Sequence, residues 1–420
     1  MTPLWHLTLR SIANRRLTVG LTALAVALAV AMLLGVERLR TDAREGFAQT
    51  ISGTDLLVGA RGGPVQLLLY SVFHIGDATN NVSWQSMEKI AAHPQVEWLV
   101  PISLGDSHRG FRVVGTTTGF FEHYRHGRGR ALAFARGGPF DGVFDAVVGA
   151  EVAARFGYEP GQSIVVTHGA GEVSFADHDD KPFTIVGVLA RTGTPVDRSV
   201  LVSLEAIEAI HLDWSGGARI PGLQIPAEQV RRFDLTPKEV TAALVGLTSR
   251  VAVFRVQRYI NGFEDEPLLA VLPGATLQQL WSIVGIVERV LLAVSALVVL
   301  VGLSGLIAVV IATLGERRRE LAILRAMGAS PPQVFALLAL ESLAISLIGC
   351  LAGLGMVQLG AWFAGPWLEL HYGLLLSAGW PSPGEWTLLG GVVCAAFVAS
   401  LVPGLRAYRY SLADGMTIRM

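Results

Sequence analysis

The sequence predicts a membrane protein with four transmembrane α-helices and a large α+β extracytoplasmic domain between the first and second. Three observations point there. Four stretches reach the roughly 20 apolar residues that a helix needs to cross a bilayer core. Only 16% of the 420 residues are charged, well below the usual share in soluble domains. Between the first and second stretches, residues 37–289 hold no apolar run of spanning length. They alternate short β-like runs, bounded by Gly, Pro or Asp, with helical patches. A hydrophobic content of 51% with a net charge of −1 excludes a disordered chain, and this balance gives no sign of nucleic-acid binding. Cys350 and Cys394 both sit in apolar runs, so no disulfide framework or Cys-rich metal site is expected outside the membrane.

The elements follow in order. Residues 1–16 read as a cytoplasmic amphipathic helix: Pro3 can start it, with Leu4, Trp5, Leu9 and Ile12 toward lipid. Residues 17–36 are free of charge and form the first span. A secretory signal would also have a basic start, but its apolar core is usually about 7–15 residues, and three more spans follow. In the exterior segment 37–289, strands are expected at Phe111–Val114, Ala146–Val148, Ser163–Thr167, Phe183–Leu189, Ser199–Val202 and Val251–Val256. Short helices are expected at Ser83–Ala92 and Leu204–Ile210. The apolar run Val65–Phe73 either binds a hydrophobic ligand or partner or is buried in the domain core. Residues 290–314 form the second span, 315–331 a loop, 332–363 the third span with Glu341 inside it, 364–385 a short loop, 386–405 the fourth span and 406–420 a tail.

Arg and Lys near the span ends set the orientation. Residues 1–16, the 315–331 loop and the tail carry ten Arg between them, against no Lys or Arg in residues 364–385. Both termini and the 315–331 loop are therefore expected on the cytoplasmic side of the membrane.

Apolar residues Leu277, Leu280, Val284, Val287, Leu291, Val294, Val298 and Val301 repeat at alternating spacings of three and four. This is a heptad seam that begins outside the membrane. Val36, Leu39, Ala43, Phe47 and Ile51 repeat similarly beyond the first span. The two helices either pack on each other as stalks or bury their stripes against the exterior domain. Gly349 and Gly353, four apart in the third span, suit close helix packing. Glu341 either faces a protein partner or reaches the interface.

The 315–331 loop reads as a short helix with Glu316, Arg317, Arg318, Arg319 and Glu320 first. Leu321, Ile323, Leu324, Arg325 and Met327 follow. Gly328 suits a C-cap. Ser330-Pro-Pro-Gln333 then suits a new N-cap with proline at the first helical position. Such firm start and stop signals around an amphipathic helix favour a docking surface over a merely basic loop.

Metal and catalytic candidates are few. Asp177-His178-Asp179-Asp180 with His168 nearby, and His123 with His126 at a helical spacing, offer zinc ligand types. The simpler expectation is an acidic surface turn and scattered solvated histidines, with no metal bound. His74 suits a core or interface position. Spacing alone yields no Ser/His/Asp arrangement, and no catalytic residue is assigned.

Glu316 to Ala329 (E-R-R-R-E-L-A-I-L-R-A-M-G-A), Val147–Ala153, Gly161–Val165, Phe183–Leu189 and Val402–Tyr408 together resemble the four-span permease subunits of the MacB/FtsX/LolC-LolE superfamily of ABC transporters. The resemblance implies a MacB-like periplasmic core domain. It also implies that residues 315–331 are the coupling helix that docks on an ATPase. A fused ATPase, as in MacB, is not expected. A P-loop needs Lys after Gly, and Lys89, Lys181 and Lys238 follow Glu88, Asp180 and Pro237. The resemblance therefore implies a separate ATPase subunit in two copies, with ATP and Mg bound there, and no cofactor in this chain. It further implies a second permease subunit in a homodimer, with lipid and an envelope protein as further partners. The leading expectation is mechanotransmission for export or extraction of an extracytoplasmic ligand. An FtsX-like signalling subunit that activates an envelope enzyme is the alternative, and a membrane-bound metal-binding or enzymatic protein is a third.

Overall fold

Two compact units make up the computed structural model, which describes residues 15–50, 52–127, 129–169, 176–215, 218–220, 225–316, 318–372, 376 and 378–408. One unit joins residues 1–43 to 285–420; the other is residues 44–284. The expected amphipathic helix at 1–16 falls almost entirely outside the described residues, as does the end of the tail.

The described helices that are long and apolar enough to cross a membrane lie mainly in the first unit. Four qualify, over Arg16–Gly46, Pro273–Ala312, Pro331–Leu368 and Pro383–Val402. Each runs past the span expected from hydropathy, as Arg16–Gln49, Pro273–Glu316, Pro331–Tyr372 and Pro383–Tyr408. Helical backbone does not stop where apolar composition does. The unit's core draws Val26, Val30 and Leu34 from the first helix and Val299, Leu303 and Leu306 from the second. Ile345 and Cys350 come from the third, and Leu389, Val392 and Ala396 from the fourth. Ser342, Ser346 and Ser400 are buried in it, their hydroxyls bonded to backbone carbonyls of their own helices. That satisfies polar groups where no water can.

The heptad seam is not the face that the second helix buries. Val287, Leu291, Val294 and Val301 are exposed, whereas Ser295, Val299, Leu303, Leu306 and Val310 are buried. A helix that is apolar all round offers little contrast between faces, so spacing alone selects the wrong stripe. At its N-terminal end Leu277 and Leu280 join the core of the second unit, and Val284 is half-buried. Leu39 of the first helix is exposed as well, because the neighbouring Glu37 and Arg38 take the inward positions. The side chain of Phe47 lies outside the described set.

The second unit is built on a 12-stranded sheet. Nine strands form its main path: β1 (Leu56–Ala60), β2 (Val96–His108), β3 (Phe111–Thr116), β4 (Phe134–Gly137), β5 (Asp145–Val148), β6 (Phe183–Leu189), β7 (Ser199–Ser203), β8 (Ala242–Leu247) and β9 (Leu268–Val271). Their order is β9-β1-β8-β2-β3-β7-β5-β6-β4. Pairing is antiparallel except for β3 with β7 and β5 with β6. The long β2 links the two halves, pairing with β8 at its start and β3 toward its end. The period of two along a strand sorts the core: Leu57 faces one cluster and Leu56 and Val58 the opposite one. Four expected strands are present, while Ser163–Thr167 is interrupted into Ser163–Ile164 and Thr167–His168. Val251–Val256 is not a strand: a helix runs Val253–Asn261, burying Val256 and Ile260. Its β-branched residues suggested extended chain, but a spacing of four decided the outcome. The apolar run from Val65 folds as the helix Pro64–Phe73, with Leu67, Leu68, Val72 and Phe73 in the core. It therefore fills the domain rather than facing a ligand.

Candidate functional site

Between the second and third long helices the chain forms a nine-residue helix, Arg318–Ala326. Its end is closed by a Schellman pair: Gly328 N–H donates to Arg325 O at 3.1 Å and Ala329 N–H to Leu324 O at 3.0 Å. Gly328 takes φ +99°, a left-handed conformation that glycine adopts without a Cβ clash. The next helix starts two residues later, and Gln333 Oε1 accepts the Ser330 N–H at 2.8 Å, half of a capping box. Two caps back to back leave the connection little freedom. On the short helix Ile323 is 54% exposed, and Met327 just beyond it is 72% exposed. Four apart, they lie on one side of the turn, while Ala322 is buried and Leu324 half-buried. Arg317 lies outside the described residues, as do the side chains of Glu316, Arg318, Arg319, Glu320 and Leu321.

A second polar feature ties three long helices together inside the first unit. Arg38 meets Glu385 through two bonds, Nε to Oε1 at 2.9 Å and Nη2 to Oε2 at 3.1 Å. Its Nη1 donates to Gln358 Oε1 at 3.0 Å. The paired side chains are only 6% and 2% exposed. Glu385 also caps its own helix: its Oε2 accepts the Ser382 N–H, and Ser382 Oγ accepts the Glu385 N–H. The motif Ser382-Pro-Gly-Glu385 is a readable capping box, so this node was available in the sequence; the expected start of the fourth span at residue 386 passed over it. Arg40 pairs with Glu37 beside it. Gly349 and Gly353 face the first helix. A Cβ on Gly349 would stand 2.7 Å from Val26 Cγ1, and one on Gly353 2.7 Å from the Ala27 carbonyl oxygen. Glu341 is buried within the third helix.

The histidines of the second unit sort unequally. His123 closes the helix Gly119–His123 and stacks on Trp98. Tyr124 turns the backbone to an extended conformation and His126 lies on a short strand, so the two do not share a helix face as their spacing suggested. Asp179 is exposed, and the side chain of Asp177 lies outside the described set. His178, by contrast, is fully buried, at 0% exposure. The expected solvated turn is therefore wrong at its second position. Lys181 is buried with it, bonded to Asp180 at 2.8 Å and Asp213 at 2.9 Å, and this ion network pulls the turn inward. His168 and His178 come together with Asp106 and His211, which no sequence spacing links to them. One ligand-capable atom from each of the four lies within 4.8 Å of the others. Burial lowers the His178 pKa to about 4, keeping its imidazole neutral. The hydrogen bond to Asp106 raises that of His168. His74 is held by Ser199 Oγ at 2.9 Å, and burial lowers it to about 4.

Comparison with known proteins matches residues 19–261 to the MacB-like periplasmic core domain and residues 292–412 to the FtsX-like permease C-terminal region. An uncharacterised ABC transporter permease of Methanocaldococcus jannaschii is 23% identical over 226 residues, 54% of this chain and 51% of that protein. The uncharacterised ABC transporter permease YknZ of Bacillus subtilis is 27% identical over 125 residues, 29% of this chain and 28% of that protein. The chain thus spans 51% and 28% of the length of these curated relatives. Among solved structures, the periplasmic region of MacB from Actinobacillus actinomycetemcomitans aligns with a TM-score of 0.33 at 12% identity, over 55% of this chain and 94% of that one. The extracellular domain of the noncanonic ABC-type transporter YknZ from Gram-positive bacteria aligns with a TM-score of 0.30 at 12% identity, over 52% and 99%.

Proposed function

The chain belongs to the ABC transporter permeases built from a MacB-like periplasmic core domain and an FtsX-like permease region, and from that premise we propose that it transmits force from a separate ATPase to its exterior domain. The observation that carries this reading is the short helix Arg318–Ala326. It is capped at its end, sits between two spanning helices, and offers Ile323 and Met327 to a partner. Exposed apolar side chains four apart on a fixed helix are what a receiving groove reads. Its sequence opens with two arginines, Arg318 and Arg319, and the excess of Arg on this loop and both ends favours the cytoplasmic side, where nucleotide is available.

In this mechanism ATP binding closes the partner ATPases and shifts the short helix. The third long helix follows, because the two caps leave almost no slack between them. The exterior domain then changes shape and moves or extracts its ligand beyond the bilayer. Most of the first unit's core is apolar, its serines bond to their own helices, and the buried Arg38 and Glu385 neutralise each other, which suits a lever better than a polar conduit. A homodimer of the chain with two ATPases gives each short helix one seat, in a bacterial inner membrane with both termini inside.

The test is co-purification from cells making the chain with its candidate ATPase. Met327→Glu and Ile323→Glu place a charge in the receiving groove. The expected result is loss of the complex with the permease still folded and inserted. A complex of unchanged affinity refutes the docking role.

A further inference from the structure

We propose that Asp106, His168, His178 and His211 form a closed, four-coordinate zinc site in the exterior domain. The sheet assembles three of the four. Asp106 lies in β2, directly across from His168 on the short strand Thr167–His168. That strand also pairs with Ala176–Asp177, and the chain continues with His178 N–H donating to Val166 O at 3.0 Å. Directly opposed residues share a face, and so do residues two apart on a strand. Asp106, His168 and His178 therefore project to the same side. The fourth residue, His211, arrives from the end of the helix Leu204–His211.

The distances suit one small cation. Tetrahedral zinc with Zn–N bonds near 2.0–2.1 Å needs its donor atoms roughly 3.3–3.4 Å apart. His168 Nδ1 lies 3.1 Å from Asp106 Oδ1 and 3.3 Å from His211 Nε2, and His211 Nε2 lies 3.8 Å from Asp106 Oδ1. Opening the first of these distances slightly, closing the third by about 0.4 Å and swinging His178 inward complete the shell.

The proton arrangement also points to a metal. His211 Nδ1 lies 2.8 Å from the Ile207 carbonyl oxygen, a bond that requires its proton there and leaves the Nε2 lone pair facing the cluster. Histidine ligands of zinc are oriented by such backbone bonds. His178 is wholly buried, yet neither of its ring nitrogens has a hydrogen-bond partner. An imidazole with both nitrogens unsatisfied in the interior is costly, and a metal bond to one of them removes much of that cost. With the His168 Nδ1 proton displaced to solvent on binding, three imidazoles and one carboxylate are borderline donors that suit zinc rather than calcium or magnesium. Four protein ligands leave no open position, so the ion would hold the strand Thr167–His168 and His178 to β2 and the helix end rather than activate water. Asp106 and His178 are buried while His168 and His211 are half-exposed, which gives an ion a route in from solvent.

The test uses the full chain in detergent, purified through a tag without histidine. Zinc alone is the probe. Metal content is measured per chain after dialysis, and affinity by competition with a chromophoric chelator. We expect one zinc per chain. His178→Ala and His211→Gln should each weaken binding by more than the roughly 10–100-fold that loss of a mere outer partner costs. His123→Ala should leave it unchanged. Cobalt substituted for zinc should give the intense visible absorption of a tetrahedral site. If His178→Ala does not fold, the half-exposed His211→Gln and the cobalt spectrum of the unsubstituted chain decide. Folded protein holding well under one zinc, zinc held equally by both variants, or a weak octahedral cobalt spectrum would each overturn the proposal.

Discussion

Replacing Arg38 with Met, Glu385 with Gln, and both together should give strongly non-additive losses of stability. Two unit charges about 4 Å apart attract by about 4 kcal/mol at an effective dielectric near 20. The Arg38–Glu385 pair makes two bonds of 2.9 and 3.1 Å, so this figure is the scale of its gross attraction. Removing Arg38 alone strands a carboxylate that is 2% exposed, at a cost of about 3–5 kcal/mol. Removing Glu385 alone strands the guanidinium, with Gln358 as its remaining partner, and also deprives Ser382 N–H of a charged acceptor. The double variant strands neither charge. It should therefore fall short of the summed single losses by about 2 kcal/mol or more, above the few tenths that independent sites show. Unfolding of the full chain in mild detergent, titrated with a denaturing detergent and followed by tryptophan fluorescence, supplies the four free energies. Losses that add within about 0.5 kcal/mol would refute the reasoning, because the pair would then be solvated and not a buried clamp. A sharp dependence on salt would count against it too, since buried pairs are screened little.

The remaining predictions concern packing, pH and the buried lysine. Gly353→Ala should destabilise the folded chain by about 1–3 kcal/mol, because the new methyl meets the Ala27 carbonyl oxygen; a thermal midpoint unchanged in detergent would show that the first and third helices do not approach this closely. Lys181→Met leaves Asp213 buried without its ion partner and should cost about 3–5 kcal/mol, measured by thermal unfolding, whereas Lys89→Met in the exposed pair with Asp265 should change little. His74 has its pKa lowered from 6.5 to about 4 by burial, so the unfolded chain takes up the proton first. Its contribution is complete above pH 6.5, and up to roughly 3 kcal/mol is lost as the pH falls from 6.5 to 4. Comparing thermal midpoints of His74→Asn and the unsubstituted chain across that range checks the sign, and parallel curves would remove His74 from the account.

What could be read in the sequence divides by the range of the interaction that fixes it. The four spans rest on composition over about 20 residues, and the caps at Gly328 and Ser330 rest on contacts three to five residues apart; both are local, and both are present in the structure. The strands β1, β8 and β9 were not legible. Leu56–Ala60, Ala242–Leu247 and Leu268–Val271 are short apolar runs whose alternation is hidden because both faces of the sheet are covered. Register across distant segments was less accessible still. Asp106, His168, His178 and His211 lie up to 105 positions apart, and only the pairing of Thr167–His168 with β2 brings the first two face to face.

The same distinction explains why Arg38 carries no sequence signal of its own while Arg317 to Arg319 do. A charge that follows an apolar span is ordinarily an interface anchor, and counting such charges is enough to assign sides. The clamp needs Glu385, 347 positions away, and Gln358 as well. Its charges face inward only because three helices converge there, and that convergence depends on Gly349 and Gly353 letting the third helix lie against the first. The glycines and the clamp therefore act on one helix pair from two positions. Small residues permit the approach, and the ion pair fixes how the helices are rotated once they have met. A variant that separates the helices at Gly353 should weaken the Arg38–Glu385 coupling as well as overall stability. If the coupling energy survives Gly353→Ala unchanged, the two contacts are independent, and the long helices do not move as a single body.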